Sequence, residues 1–172
     1  MTRAISMLAP AAMESLMYYA SRAPAGAIVE IGVYKGGSAS QLAKLGRPLY
    51  LYDTFEGIPY QGKWDTGNPV GKFADTSAEA VQVMIPSAVV VKGLFPQSLI
   101  AMPSVGFVHA DADQYESTKA ILEVMPPLMV RGGFILLDDF GVEDCQGCTE
   151  AVYESQFRVL VMTETGKALI IV

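Results

Sequence analysis

The apolar positions along the chain fall into short runs, and two of these organise the rest. Val105 to Tyr115 (VGFVHADADQY) and Gly132 to Phe140 (GGFILLDDF) are β-forming runs that end in carboxylates, Asp111 and Asp113 in the first, Asp138 and Asp139 in the second. A run bounded in this way reads as a buried strand whose C-terminal end meets solvent. In an open α/β sheet, ligands sit in the crevice outside the carboxyl ends of the strands. If the two strands are neighbours, four carboxylates converge on one spot, and a bound divalent cation would relieve their repulsion.

The remaining pattern alternates between helical and extended spacing. Pro10 to Ala20 places Met13, Leu16, Met17 and Ala20 at helical intervals, the core of a helical lead-in over residues 1–24. Ala27 to Ile31 reads as a strand and Gly32 to Gly37 as a turn. Ser38 reads as the N-cap of a helix through Leu45, and Leu49 to Tyr52 as a strand ending at Asp53. Residues 54–76 hold glycines, two prolines and the single Trp without a steady period, the signature of a lid loop, with Tyr60, Trp64 and Phe73 as possible covers of a substrate. A helix is expected over 77–84, a strand over 88–92, and a short helix over 96–102 after Gly93. A Ser117-capped helix should run to Met129 with Pro126 and Pro127 ending or kinking it, and a further helix covers 147–155. The chain closes with two β-rich runs joined by Thr163 to Gly166, a hairpin signal. The expected architecture is α/β, a doubly wound, mostly parallel seven-stranded sheet with a C-terminal antiparallel hairpin, in a single domain over 1–172.

Composition narrows the function. A formal charge of -6 argues against a nucleic-acid partner, which needs a basic face. The lead-in, broken by Pro10 and Glu14, fits neither a signal peptide nor a membrane span, so a cytoplasmic location without membrane attachment is expected. Cys145 and Cys148 form the only C-x-x-C, with no second pair for zinc and no thioredoxin-like context, and are expected as free thiols.

The turn from Glu30 to Ser38 (EIGVYKGGS) stands where the first strand hands over to the first helix, so a ligand can approach the backbone closely. Tyr34 takes the place of the second glycine of the dinucleotide fingerprint, and Glu30 suits a cationic ammonium group. Asp53 lies where nucleoside-binding α/β folds carry a ribose-binding acid. Together these describe a nucleoside pocket without a phosphate site. His109, the only histidine, reads as a packed neighbour, and Tyr115 as a pocket or packing residue.

With the segments YDTFEGIP, VHADADQYEST and GGFILLDDFG, and GCTEAVY from Gly147 to Tyr153, the turn resembles the macrocin (TylF-type) O-methyltransferases. The resemblance covers most of the chain from about Ala27 onward. It implies a Rossmann-like class I fold, S-adenosyl-L-methionine as cofactor, Mg²⁺ or another divalent cation, and a small-molecule hydroxyl acceptor of the sugar or glycoside kind. It further implies cofactor contacts from Glu30, Gly32, Tyr34, Gly36, Ser38, Asp53, Thr54, Gly93 and Asp111. Asp111, Asp138 and Asp139 match the family's metal ligands, and Asp113 matches the general base proposed in some members. The chain is shorter than those enzymes, mainly in the N-terminal part that helps them oligomerise, which leaves the acceptor and a homo-oligomer open. The competing readings are a D-x-D metal-dependent glycosyltransferase or phosphatase, an NAD-dependent dehydrogenase, and a non-catalytic cofactor-binding module. The dehydrogenase is opposed by the missing glycine, and the module by the cost of an idle carboxylate cluster.

Overall fold

A computed structural model describes residues 6–162 and 167–172. Helix α1 (Pro10–Arg22) leads into strand β1 (Ala27–Ile31), helix α2 (Gly37–Leu42) and strand β2 (Leu49–Asp53). Helix α3 (Ala78–Met84), strand β3 (Val89–Lys92), strand β4 (Val105–Ala110), helix α4 (Tyr115–Val124) and strand β5 (Met129–Leu137) follow. Helix α5 (Gln146–Glu154), β6 (Val159–Met162) and β7 (Lys167–Ile171) close the chain. The strands form one seven-stranded sheet in the order β3-β2-β1-β4-β5-β7-β6, parallel throughout except for β7, which runs antiparallel to both its neighbours. The paired β6 and β7 are the expected closing hairpin; its expected turn, Thr163 to Gly166, lies outside the described residues.

Each face of the sheet carries its own core, as the doubly wound reading requires. On one face Leu16 of α1, Leu42 of α2 and Val81 of α3 pack with Ile28 and Phe107. On the other, Ile121 and Met125, at the C-terminal end of α4, and Val152 of α5 pack with Val29, Val108 and Ile135. A fully buried Leu or Ile contributes about 1.5–3 kcal/mol, so these contacts set which way each helix faces. The chain passes from β1 to β2 on one side and from β4 to β5 on the other, and the reversal of strand order falls between the adjacent β1 and β4. That is where such sheets open a crevice.

Three local expectations are corrected. Residues 96–102 form a turn rather than a helix. Pro96 and Pro103 bracket a stretch too short to nucleate, and Met102 precedes a proline, which disfavours helical backbone. Phe95, Leu99 and Met102 still pack onto the core. Ser38 is not a cap, because Gly36 takes the N-cap position of α2 at φ +75° and Ser38 is buried in the first turn. Ser117 is not a cap either. Helix α4 starts earlier, at Tyr115, whose N–H donates to the Asp65 carboxylate at 2.9 Å. The helix stops at Val124, with a 3-10 turn over Pro126–Leu128 and β5 beginning at Met129, because Pro126 has no N–H to continue the ladder.

Among the described residues no helix is long and apolar enough to cross a membrane. Just past the ends of β1 and β4 the backbone is close-packed at Gly32: at φ +90°, a Cβ would stand 1.6 Å from the Asp111 carbonyl oxygen. Gly46 also has positive φ, +66°, but nothing lies within 4 Å of its Cβ position. Gly46→Ala should therefore cost only the backbone strain, about 1–3 kcal/mol. Gly32→Ala should cost clearly more, because the strand ends must separate. Chemical denaturation of both variants checks this, and equal losses would mean the close approach is not a constraint.

Candidate active site

The carboxylates continue the sheet's own ladder. Asp111 N–H donates to Ile31 O at 2.8 Å, and Asp138 N–H donates to Ala110 O at 2.8 Å, so each stands one step past the end of its strand on neighbouring strands. Asp113 adopts the left-handed region at φ +57°, which Asp tolerates, and its N–H donates to Asp139 Oδ2 at 3.1 Å. All four carboxylates line one cavity of about 240 Å³. Asp111 and Asp138 offer ligand atoms within 4.8 Å of one another together with His109; Asp139 does so with Asp113 and Cys145.

Burial, then the charge of Asp139, holds the Asp111 carboxyl well above the ordinary carboxylate range. Burial, then the charge of Asp113, pushes Asp139 up to about 7. Asp113 is also raised, by burial above all. Groups shifted this way carry too little compensating positive charge, and their oxygens suit a divalent cation of the magnesium kind, although the three acids expected as its ligands divide between the two clusters, Asp111 and Asp138 in one and Asp139 in the other.

The turn after β1 lines the same cavity. Gly32, Tyr34 and Ser38 line the cavity, as do Asp53, Thr54 and Gly93 at the ends of β2 and β3. Tyr34 sits at φ 51°, a conformation held from below. Asp53 Oδ2 accepts from the N–H groups of Val33 and Tyr34 at 2.7 and 2.8 Å, and its Oδ1 accepts from Phe55 N–H at 2.7 Å. Asp53 is thus the anchor of the turn as well as a wall of the cavity; Oδ2 is filled by its two N–H donors, and Oδ1 retains a lone pair for a ligand hydroxyl.

Two of the residues assigned to the cofactor do not line the cavity. Gly36 lies beneath Val81 and Ile85 as the N-cap of α2. Glu30 is fully buried within the sheet, its Oε1 bonded to His109 Nδ1 at 2.8 Å, while Oε2 has no partner among the described residues. The reason is register: Glu30 and His109 are paired across β1 and β4. His109 is packed as the sequence suggested, but it also reaches Asp138 Oδ1 through Nε2 at 3.4 Å. The same oxygen contacts the ammonium of Lys167, a residue only 1% exposed. Burial lowers the Lys167 ammonium to about 8, against the opposing pull of Asp111. A lone Lys opening the apolar run KALIIV was the available signal for it.

The irregular segment between β2 and α3 packs against the acids. Asn68 Nδ2 donates to Asp113 Oδ1 at 3.4 Å, and Lys72 Nζ donates to Asn68 Oδ1 at 2.5 Å. Asp65 is buried and binds the first N–H of α4, and the Gln114 side chain donates to Tyr60 O. Phe73 lines the cavity, whereas Trp64 does not, and the Tyr115 hydroxyl turns to Glu154. Ser6 to Leu8 supply another part of the wall. Cys145 and Cys148 are free and buried, with Cys145 Sγ donating to Asp113 Oδ1 at 3.5 Å. Burial, then the charge of Asp139, pushes both thiols up, so neither is a ready nucleophile.

Comparison with known proteins agrees with this geometry. A curated relative, the 8-demethyl-8-(2,3-dimethoxy-alpha-L-rhamnosyl)-tetracenomycin-C 4'-O-methyltransferase of Streptomyces olivaceus, is 25% identical over 77% of this chain. The match spans 59% of that protein's length. Among solved structures, the O-methyltransferase NovP superposes with a TM-score of 0.72 at 20% identity, covering 92% of this chain and 78% of that one. The calicheamicin methyltransferase CalS11 gives 0.72 at 22% identity, covering 94% and 77%. An O-methyltransferase from Bacillus cereus, solved in complex with SAH, gives 0.62 at 18% identity, covering 95% and 80%. The family model of the macrocin O-methyltransferases (TylF) matches residues 6–162, and the chain belongs to that family.

Proposed function

We propose that this protein is an S-adenosylmethionine-dependent O-methyltransferase that acts, with a divalent cation, on a hydroxyl of a small molecule, a sugar or a natural-product glycoside. The observation that carries the reading is the cavity at the β1/β4 switch point, lined both by an Asp53-anchored turn and by four carboxylates. The S. olivaceus relative, named for methylating a rhamnosyl-tetracenomycin, supports the acceptor class.

The turn through Gly32 to Ser38 offers close backbone approach to the cofactor's methionine part, and Asp53 Oδ1 accepts a hydrogen bond from a ribose hydroxyl. Asp111, Asp138 and Asp139 would hold the cation, which when bound lowers the pKa of an acceptor hydroxyl and fixes its direction. Asp113 accepts the hydroxyl proton as methyl transfer proceeds. Asn68 and Cys145 both donate to Asp113 Oδ1, which fixes that oxygen and leaves Oδ2 for the proton. Aligning the hydroxyl with the sulfonium methyl is worth roughly 7–11 kcal/mol of the barrier.

Calorimetric titration with S-adenosylhomocysteine, with and without Mg²⁺, should show micromolar binding in both conditions. No binding in either would sink the reading, and binding without transfer to any sugar or catechol acceptor would leave a cofactor-binding module. Asp138→Asn should abolish most turnover and weaken cation binding while leaving cofactor affinity unchanged. Asp113→Asn should lower kcat by about 10²–10⁴ with cofactor and cation binding intact. Asn68→Ala should lower kcat by about tenfold with unchanged cofactor affinity, since only the placement of Asp113 is loosened; an effect on cofactor binding alone would refute that role.

A further inference from the structure

Lys167 stands outside the cavity, behind one of its carboxylates. Strands β5 and β7 pair Leu137 with Ala168, so the antiparallel register brings Lys167 level with Asp138 one step further on. The ammonium is 1% exposed and contacts Asp138 Oδ1, the oxygen that His109 also approaches. Asp111 is the other acid whose charge reaches it. Taking an ammonium out of water is costly unless a carboxylate compensates, so the fold holds a cation of its own against a residue assigned to bind another.

We propose that Lys167 is a resident counter-charge of the cation site, an inference that rests on the cation reading above. Asp111, Asp138 and Asp139 carry three negative charges once all are deprotonated toward an incoming ion, and the Lys167 ammonium reduces this to the two that one divalent ion matches. The ammonium therefore does two things. It keeps the carboxylates together before a cation arrives, and it weakens cation binding so that the ion exchanges readily. Affinity in oxygen-ligand sites follows the charge count of the ligands, so removing one positive charge should tighten the site.

Direct Mn²⁺ binding, read from the free-ion EPR signal at pH 7 without cofactor or acceptor, tests this on the whole chain. Lys167→Gln, which keeps a donor and loses the charge, should bind Mn²⁺ about tenfold tighter than the unmodified protein. It should also gain relatively more for Tb³⁺ than for Ca²⁺, since the site then carries one negative charge more. Lys167→Arg, if it folds as judged by circular dichroism, should keep the original affinity. A Lys167→Gln protein that binds Mn²⁺ equally or more weakly overturns the proposal. Should that variant not fold, the charge-neutral pair Asp138→Asn/Lys167→Met replaces it. The pair should bind Mn²⁺ more tightly than Asp138→Asn alone, in which the ammonium is left uncompensated; no difference between them overturns the proposal as well. Failure of the unmodified protein to bind Mn²⁺ would instead overturn the cation reading, and this inference with it.

Discussion

Mutual repulsion of carboxylates crowded at one end of a sheet is the constraint to which the rest of the structure responds. The backbone forces the crowding, because Asp111 and Asp138 extend the hydrogen-bond ladder of adjacent strands and cannot move apart without breaking it. The surroundings then supply what positive charge and donor capacity they can. Asp139 takes the Asp113 N–H, Asp113 takes Asn68 and Cys145, and Asp138 takes Lys167 and His109. Burial, with the repulsion that remains uncompensated behind it, raises the proton affinity of Asp111 and Asp139. A protein that maintained such a cluster without a cation would bear its cost for nothing.

The fold was legible in the sequence where a single physical rule governs. β1 coincides with the run Ala27 to Ile31, and the opening run contains β4 and leaves its acids just past the strand end, because burial on both faces leaves mostly apolar residues to choose from, the mutually bonded Glu30 and His109 excepted. Legibility failed where two rules compete. Ser38 and Ser117 have the chemistry of caps, but a left-handed glycine at Gly36 and a carboxylate from a distant loop, Asp65, settle where those helices begin. Nothing local to Ser117 announces that Asp65 will arrive.

The site was legible in the same uneven way. Acids at strand ends can be read because their position is fixed by the strands before them. Glu30 does not line the cavity because a residue's alternation along a strand decides which face it joins, and only the pairing with His109 shows that its carboxylate is taken up by that neighbour. Lys167 and Asn68 were missed since each acts on a carboxylate far away in the chain. Long-range partners of this kind leave no periodic trace in a single sequence.

The cavity walls differ in origin, and this bears on acceptor choice. Its floor consists of residues one step beyond parallel strands, held by ladder bonds and therefore rigid. Its rim consists of Ser6 to Leu8, Gly57 to Pro59 and Phe73, which lie on segments without regular structure. Chemistry common to a family must reside in the floor, where a displacement of about 1 Å is costly. Discrimination among hydroxyls needs only shape and a few polar contacts, which loops can alter without disturbing the strand ends. The segment between β2 and α3 joins the two, because it shapes the rim at Phe73 and also carries Asn68 to Asp113. Under the proposed function, an acceptor that displaced this segment would loosen Asp113 as well as lose the rim contact, so selectivity at the rim would be converted into rate at the floor.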